Sequence, residues 1–89
     1  MHETSLIEFT LKAVEQKALS MGIDRVQCIH LVIGKERGVV GELMDHAFEL
    51  LTSRRPLFAG CRLDIESVDG DALYIDSFEG STDEQKDIT

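Results

Sequence analysis

The sequence predicts an α/β (α+β) fold, a two-layer sandwich with two helices on one face of a small three-stranded mixed sheet, in the order α-β-α-β-β. Three observations carry this. Two segments repeat apolar residues at three- and four-residue spacing, a run of branched residues separates them, and two short strand-like runs close the chain. With 89 residues the chain supports one small core. We read residues 1–79 as a single domain and 80–89 as an acidic tail with too few apolar side chains to bury itself.

The first helix is expected from Ser5 to Met21, with Ile7, Leu11, Val14, Ala18 and Met21 as its inward stripe. Ser5 and Glu8 match a capping box, and Gly22 stands where a helix stops. Met1, His2 and Glu3 then form a short exposed lead-in. RVQCIHLVIG follows, and Val26, Ile29, Val32 and Ile33 suit a strand covered on both faces. Gly34 and Gly38 bracket the polar turn KER. A second helix is expected from Gly41 to Ser53, with Val40, Leu43, Ala47, Leu50 and Leu51 inward, and Pro56 ends it. CRLDIE alternates, with Cys61, Leu63 and Ile65 inward. SVDGD is a turn signal and ALYIDSF a third strand, so the last two strands are expected to pair as an antiparallel hairpin. Which strand is central is left open by the sequence.

Charge and composition exclude several function classes. Net charge is −8, and the only adjacent cation pair is Arg54-Arg55, so a nucleic-acid backbone is a poor partner. No apolar run is long enough to span a bilayer, and Glu3 and Glu8 occupy the place of a basic leader, which makes the cytoplasm the expected compartment. Cys28 and Cys61 lie in apolar stretches without a C-x-x-C, and reduced core thiols are the expected role. There is no phosphate loop, nucleophile elbow or H-E-x-x-H, so the chain is not read as an enzyme. His30 in mid-strand and His46 in mid-helix are expected to be structural. Glu42, Asp45 and Glu49 are expected to form a solvated face, and KERG a simple turn.

One constellation has a coherent chemistry. In Met1-His2-Glu3, the terminal amine, the backbone nitrogen of His2 and its Nδ1 close fused five- and six-membered chelate rings around one ion. A planar, nitrogen-rich set favours Ni(II) or Cu(II) over tetrahedral Zn(II) or hard Mg(II). Glu3 completes the plane through either its backbone nitrogen or its carboxylate. The bland alternative is a frayed polar leader, since a His-Glu start arises by chance in roughly one chain in several hundred.

The stretch MHETSLIEFTLKAVEQKALSMGIDRVQCIHLVIGK resembles the opening of the HypA/HybF family, nickel-insertion proteins of nickel-iron hydrogenase maturation. GELMDHAFELLTSRRPLFAGCRLDIE is similar to that family's second helix and following strand, and ALYIDSFE to its final strand. The resemblance implies Ni(II) bound by the Met1 amine, His2 and Glu3. It also implies a HypB-like GTPase and a hydrogenase large-subunit precursor as partners. The family's zinc module, two C-x-x-C pairs, is absent between Glu66 and Ala72, where only SVDGD stands, so that zinc is not expected. The competing class is a metal-independent protein-interaction or regulatory module. Self-association through an exposed sheet edge is a further expectation.

Overall fold

The computed structural model describes residues 2–82 of the chain. Its elements are helix α1 (Glu3–Ser20), strand β1 (Arg25–Gly34), helix α2 (Gly41–Thr52), strand β2 (Arg62–Val68) and strand β3 (Leu73–Ser81). Single 3-10 turns at Lys35–Arg37 and Pro56–Phe58 lie in the connections. The expected order α-β-α-β-β is the observed one. Both helices pack on one face of a three-stranded mixed sheet. Met1 and residues 83–89, which hold most of the expected acidic tail, lie outside the described residues.

Helix α1 buries Leu6, Ile7, Thr10, Leu11, Val14 and Ala18, one stripe at helical spacing. Its end is a Schellman motif. Gly22 adopts φ +72°, Ile23 N donates to Ala18 O and Gly22 N to Leu19 O. Its start corrects the expected capping box. The helix begins at Glu3, two residues before Ser5, because Leu6 N already closes a turn onto His2 O at 3.1 Å. His2 is therefore the N-cap, and Glu3 belongs to the first helical turn instead of a free lead-in. Met21, expected inward, is exposed because the chain has left the helix there.

Helix α2 turns Met44, Ala47 and Phe48 into the core with Leu51 at its margin. The expected inward positions Val40, Leu43 and Leu50 are instead exposed. Two adjacent apolar stripes run along this helix, and the one carrying Met44 and Phe48 faces the sheet.

Strand β1 is central, pairing in parallel with β2 and antiparallel with β3. The helical crossover through α2 makes the parallel pair possible. The expected β2–β3 hairpin does not form, since the two strands lie on opposite edges of β1. Asp69–Ala72 must instead cross the end of β1, a span of roughly 10 Å for two strand spacings, and four residues reach that far. Gly34, Glu36 and Arg37 hold the crossing in place: Gly34 N donates to Ala72 O at 2.6 Å, Glu36 N to Gly70 O at 2.8 Å, and Arg37 Nε to Asp71 O at 2.6 Å. Gly34 is required at that point. A Cβ there would stand 2.2 Å from Gly70 O and 2.6 Å from Ala72 N.

The core between sheet and helices contains Ile29, Leu31 and Ile33 of β1, flanked by Leu63 and Ile65 of β2 and by Leu73, Ile75 and Phe78 of β3. Phe58, 1% exposed, plugs one end. The alternate residues Cys28, His30 and Val32 therefore point to the sheet face that carries no helix. Arg55 stacks 4.9 Å over Phe58 and pairs with Glu15 at 2.9 Å, so half of the Arg54-Arg55 pair is committed to the fold.

Candidate metal centre

The start of α1 and the start of α2 meet. Glu3 Oε2 accepts a hydrogen bond from Val40 N, the N-cap amide of α2, at 3.0 Å. No side chain of α2's own N-cap residue supplies a cap, so Glu3 does from a different helix what a capping-box glutamate does within one. This bond, followed by one from its own backbone amide, holds the Glu3 carboxyl below the usual glutamate range. A depressed folded-state value stabilises above the ordinary value of about 4.3, and the contribution disappears as pH falls through the lower folded value. The expected result is that the Val40 amide loses hydrogen-exchange protection on acidification through that window. In Glu3→Ala it is expected to be unprotected at every pH.

His2 is exposed, with extended backbone angles (φ −74°, ψ 143°) that lead the chain into the helix. His2 and Glu3 line an open depression of about 460 Å³ with Thr4, Ser5, Leu43 and His46. His46, expected to be structural, thus shares a wall with the amino-terminal donors. The sequence hid this because 43 positions separate His46 from Glu3 and the helix pairing alone joins them. His2, Glu3 and His46 do not form a tight triad, however. Among the described residues the one close cluster of potential metal ligands is Cys28, His30 and Asp64. Cys28 is buried as expected, but on the helix-free face; Cys61 is half-buried, and burial pushes its thiol up to about 11. The KER turn is committed to the crossing loop, since Lys35 approaches Asp69 at 3.6 Å and Arg37 bonds Asp71.

A larger depression, about 730 Å³, lies between the second half of α1 and β3. Its polar side chains, Lys17, Asp76, Ser77 and Glu79, make no nucleophile–base pair, and it is remote from the amino terminus.

The fold and this end of the molecule define a small helix-on-sheet module that sets a short nitrogen- and oxygen-bearing segment at the mouth of an open depression. Comparison with known proteins gives that class a family. Residues 1–77 match the family model described as hydrogenase/urease nickel incorporation, metallochaperone, hypA. The hydrogenase maturation factor HypA of Chloroflexus aurantiacus is 35% identical over 68 residues, covering 76% of this chain and 59% of the relative. That of Rhodobacter capsulatus is 33% identical over 76 residues, 85% of this chain and 66% of the relative. The solution structure of the Ni metallochaperone HypA from Helicobacter pylori has a TM-score of 0.70 at 19% identity, covering 86% of this chain and 72% of that one, and supports the fold. The chain belongs to the HypA family. It spans about three-fifths of the length of the first of these relatives, 59%. No helix among the described residues is long and apolar enough to cross a membrane.

Proposed function

We propose that this protein is a nickel carrier of hydrogenase maturation that binds Ni(II) at Met1-His2-Glu3 without catalysing a reaction. The observation that carries the reading is the position of His2 and Glu3 at the helix start. In the first turn of a helix the amides have no intrahelical acceptor, and Leu6 makes the first such bond of α1. The His2 backbone nitrogen, at the N-cap ahead of that turn, can therefore give up its proton to a metal without breaking the helix. The Met1 amine, the His2 backbone nitrogen and His2 Nδ1 would fill three corners of a plane, and the fourth would fall to water or to the second oxygen of the Glu3 carboxylate, whose first is held by Val40. A planar, nitrogen-rich set of this kind suits Ni(II).

A carrier releases its ion, and an exposed site at a chain end suits hand-over better than a buried cage. The exposed Val40, Leu43 and Leu50 flank the same end and offer apolar contact to the partners implied by the family, a HypB-like GTPase and a hydrogenase large-subunit precursor in the cytoplasm. Those residues also favour the second reading, a metal-independent docking module, in which partner capture survives chelator and His2→Ala alike. Isothermal titration of Ni(II) into protein with its native amino terminus tests the first reading. One ion per chain is expected at the amino terminus, and is expected to be lost in His2→Ala, with binding weakening on acidification because the donors must shed protons. Binding no tighter than about millimolar, roughly −4 kcal/mol, would refute it.

A further inference from the structure

The helix-free face of the sheet carries a second set of donors that the amino-terminal reading does not use. Cys28 and His30 stand two residues apart on β1 and so project on one face. Strand register brings Asp64 of β2 opposite His30 and Glu79 of β3 opposite Cys28. The Cys28 sulfur, a His30 ring nitrogen and an Asp64 oxygen all lie within 4.8 Å of one another.

We propose that Cys28, His30 and Asp64 form a second metal site, for a borderline divalent ion of the zinc class in tetrahedral coordination, with Glu79 orienting His30. The donor atoms already stand near the spacing of a tetrahedral site. Bonds of about 2.0–2.3 Å at tetrahedral angles place neighbouring donor atoms about 3.3–3.7 Å apart. Asp64 Oδ2 is 3.5 Å from His30 Nδ1 and 3.5 Å from Cys28 Sγ, so two edges of such a tetrahedron exist without the ion. Thiolate, imidazole and carboxylate together suit zinc-class ions better than hard Mg(II) or Ca(II).

Glu79 holds the far side of the His30 ring. His30 Nε2 is 2.7 Å from Glu79 Oε2, the carboxylate–histidine pairing that fixes the ring of metal-bound histidines. A neutral imidazole has one N–H. If Nε2 donates to Glu79, the lone pair of Nδ1 faces the Asp64 carboxylate, and a cation between them relieves the opposition. In the metal-free protein the Cys28 thiol donates to Asp64 Oδ2. The ion takes the place of that proton, which passes to solvent. Cys28 closes the site from below, while the His30 and Asp64 side chains are 31% and 52% exposed and leave the fourth position to water. The site uses none of the family's C-x-x-C chemistry, so it is compatible with the absence of that zinc module.

Cobalt(II) titration of the full-length reduced protein tests this, because a thiolate ligand gives a near-ultraviolet charge-transfer band that nitrogen and oxygen donors cannot. We expect the band to saturate at one equivalent and to be bleached by one equivalent of Zn(II). It should vanish in Cys28→Ser and persist in Cys61→Ser and in His2→Ala. Asp64→Asn, a change at an exposed side chain that spares the core, is expected to weaken Co(II) at least tenfold. Glu79→Gln should weaken it by about 10–100-fold. Absence of the band, its survival in Cys28→Ser with native far-ultraviolet circular dichroism, or its loss in Cys61→Ser would overturn the proposal. Failure of the amino-terminal nickel reading is seen separately, as nickel binding unaltered by His2→Ala.

Discussion

Acetylation of the Met1 amine is expected to weaken Ni(II) binding on the order of a hundredfold, about 2.8 kcal/mol, while leaving thermal stability unchanged. Acetylation turns the amine into an amide nitrogen whose lone pair is delocalised, which breaks the fused chelate and leaves no other amine to take its place. Because Leu6 N still closes onto His2 O, the helix has no reason to notice. His2→Ala is expected to lose as much through the imidazole. Glu3→Gln separates water from the Glu3 carboxylate at the fourth corner. The three nitrogen donors are retained and the side-chain oxygen can still accept from Val40 N, so affinity should change less than about threefold, or 0.7 kcal/mol. A loss as large as that of His2→Ala would assign the carboxylate as ligand. Isothermal titration and the visible spectrum of square-planar Ni(II), run on all three forms, give the comparison.

What could be read from the sequence divides along locality. The stripe Ile7, Leu11, Val14, Ala18 and the stop at Gly22 were legible because helical spacing and a left-handed glycine are short-range signals. The start is not marked in the sequence because S-x-x-E also occurs inside helices, and α1 has no side-chain cap at its first residue. In α2 the stripes Leu43–Leu50 and Met44–Phe48–Leu51 are equally apolar, and only the sheet decides which is inside. The contiguous Met1-His2-Glu3 could be recognised at once. His46 beside it could not, nor could the pairing of Cys28 with Asp64 across 36 positions or of His30 with Glu79 across 49. Those contacts exist only through strand register, and the strand order departs from the hairpin that SVDGD suggested. A turn signal reports that the chain reverses. It does not report whether the returning strand lands beside its predecessor or on the far side of a third strand.

The residue that permits the second outcome is Gly34, more than thirty positions upstream of the turn it accommodates. Gly34→Ala is expected to cost about 3 kcal/mol, lowering the melting temperature by roughly 10–25 °C in a domain of this size. The new methyl would occupy the space of Gly70 O and the Ala72 amide, both backbone atoms that no rotamer change can clear. The crossing segment must lift, which loses the bonds from Gly34 N and Glu36 N and pulls on the β1–β3 register at Ile33 and Leu73. Gly41→Ala is the matched control. Gly41 opens α2 with no positive φ, and its missing Cβ faces empty space. That substitution is expected to be neutral or to stabilise by about 0.4–1 kcal/mol. Thermal melts of the two variants separate the crossing from a general cost of replacing glycine. Equal stability of Gly34→Ala and the parent protein would mean that the segment does not pass over the end of β1.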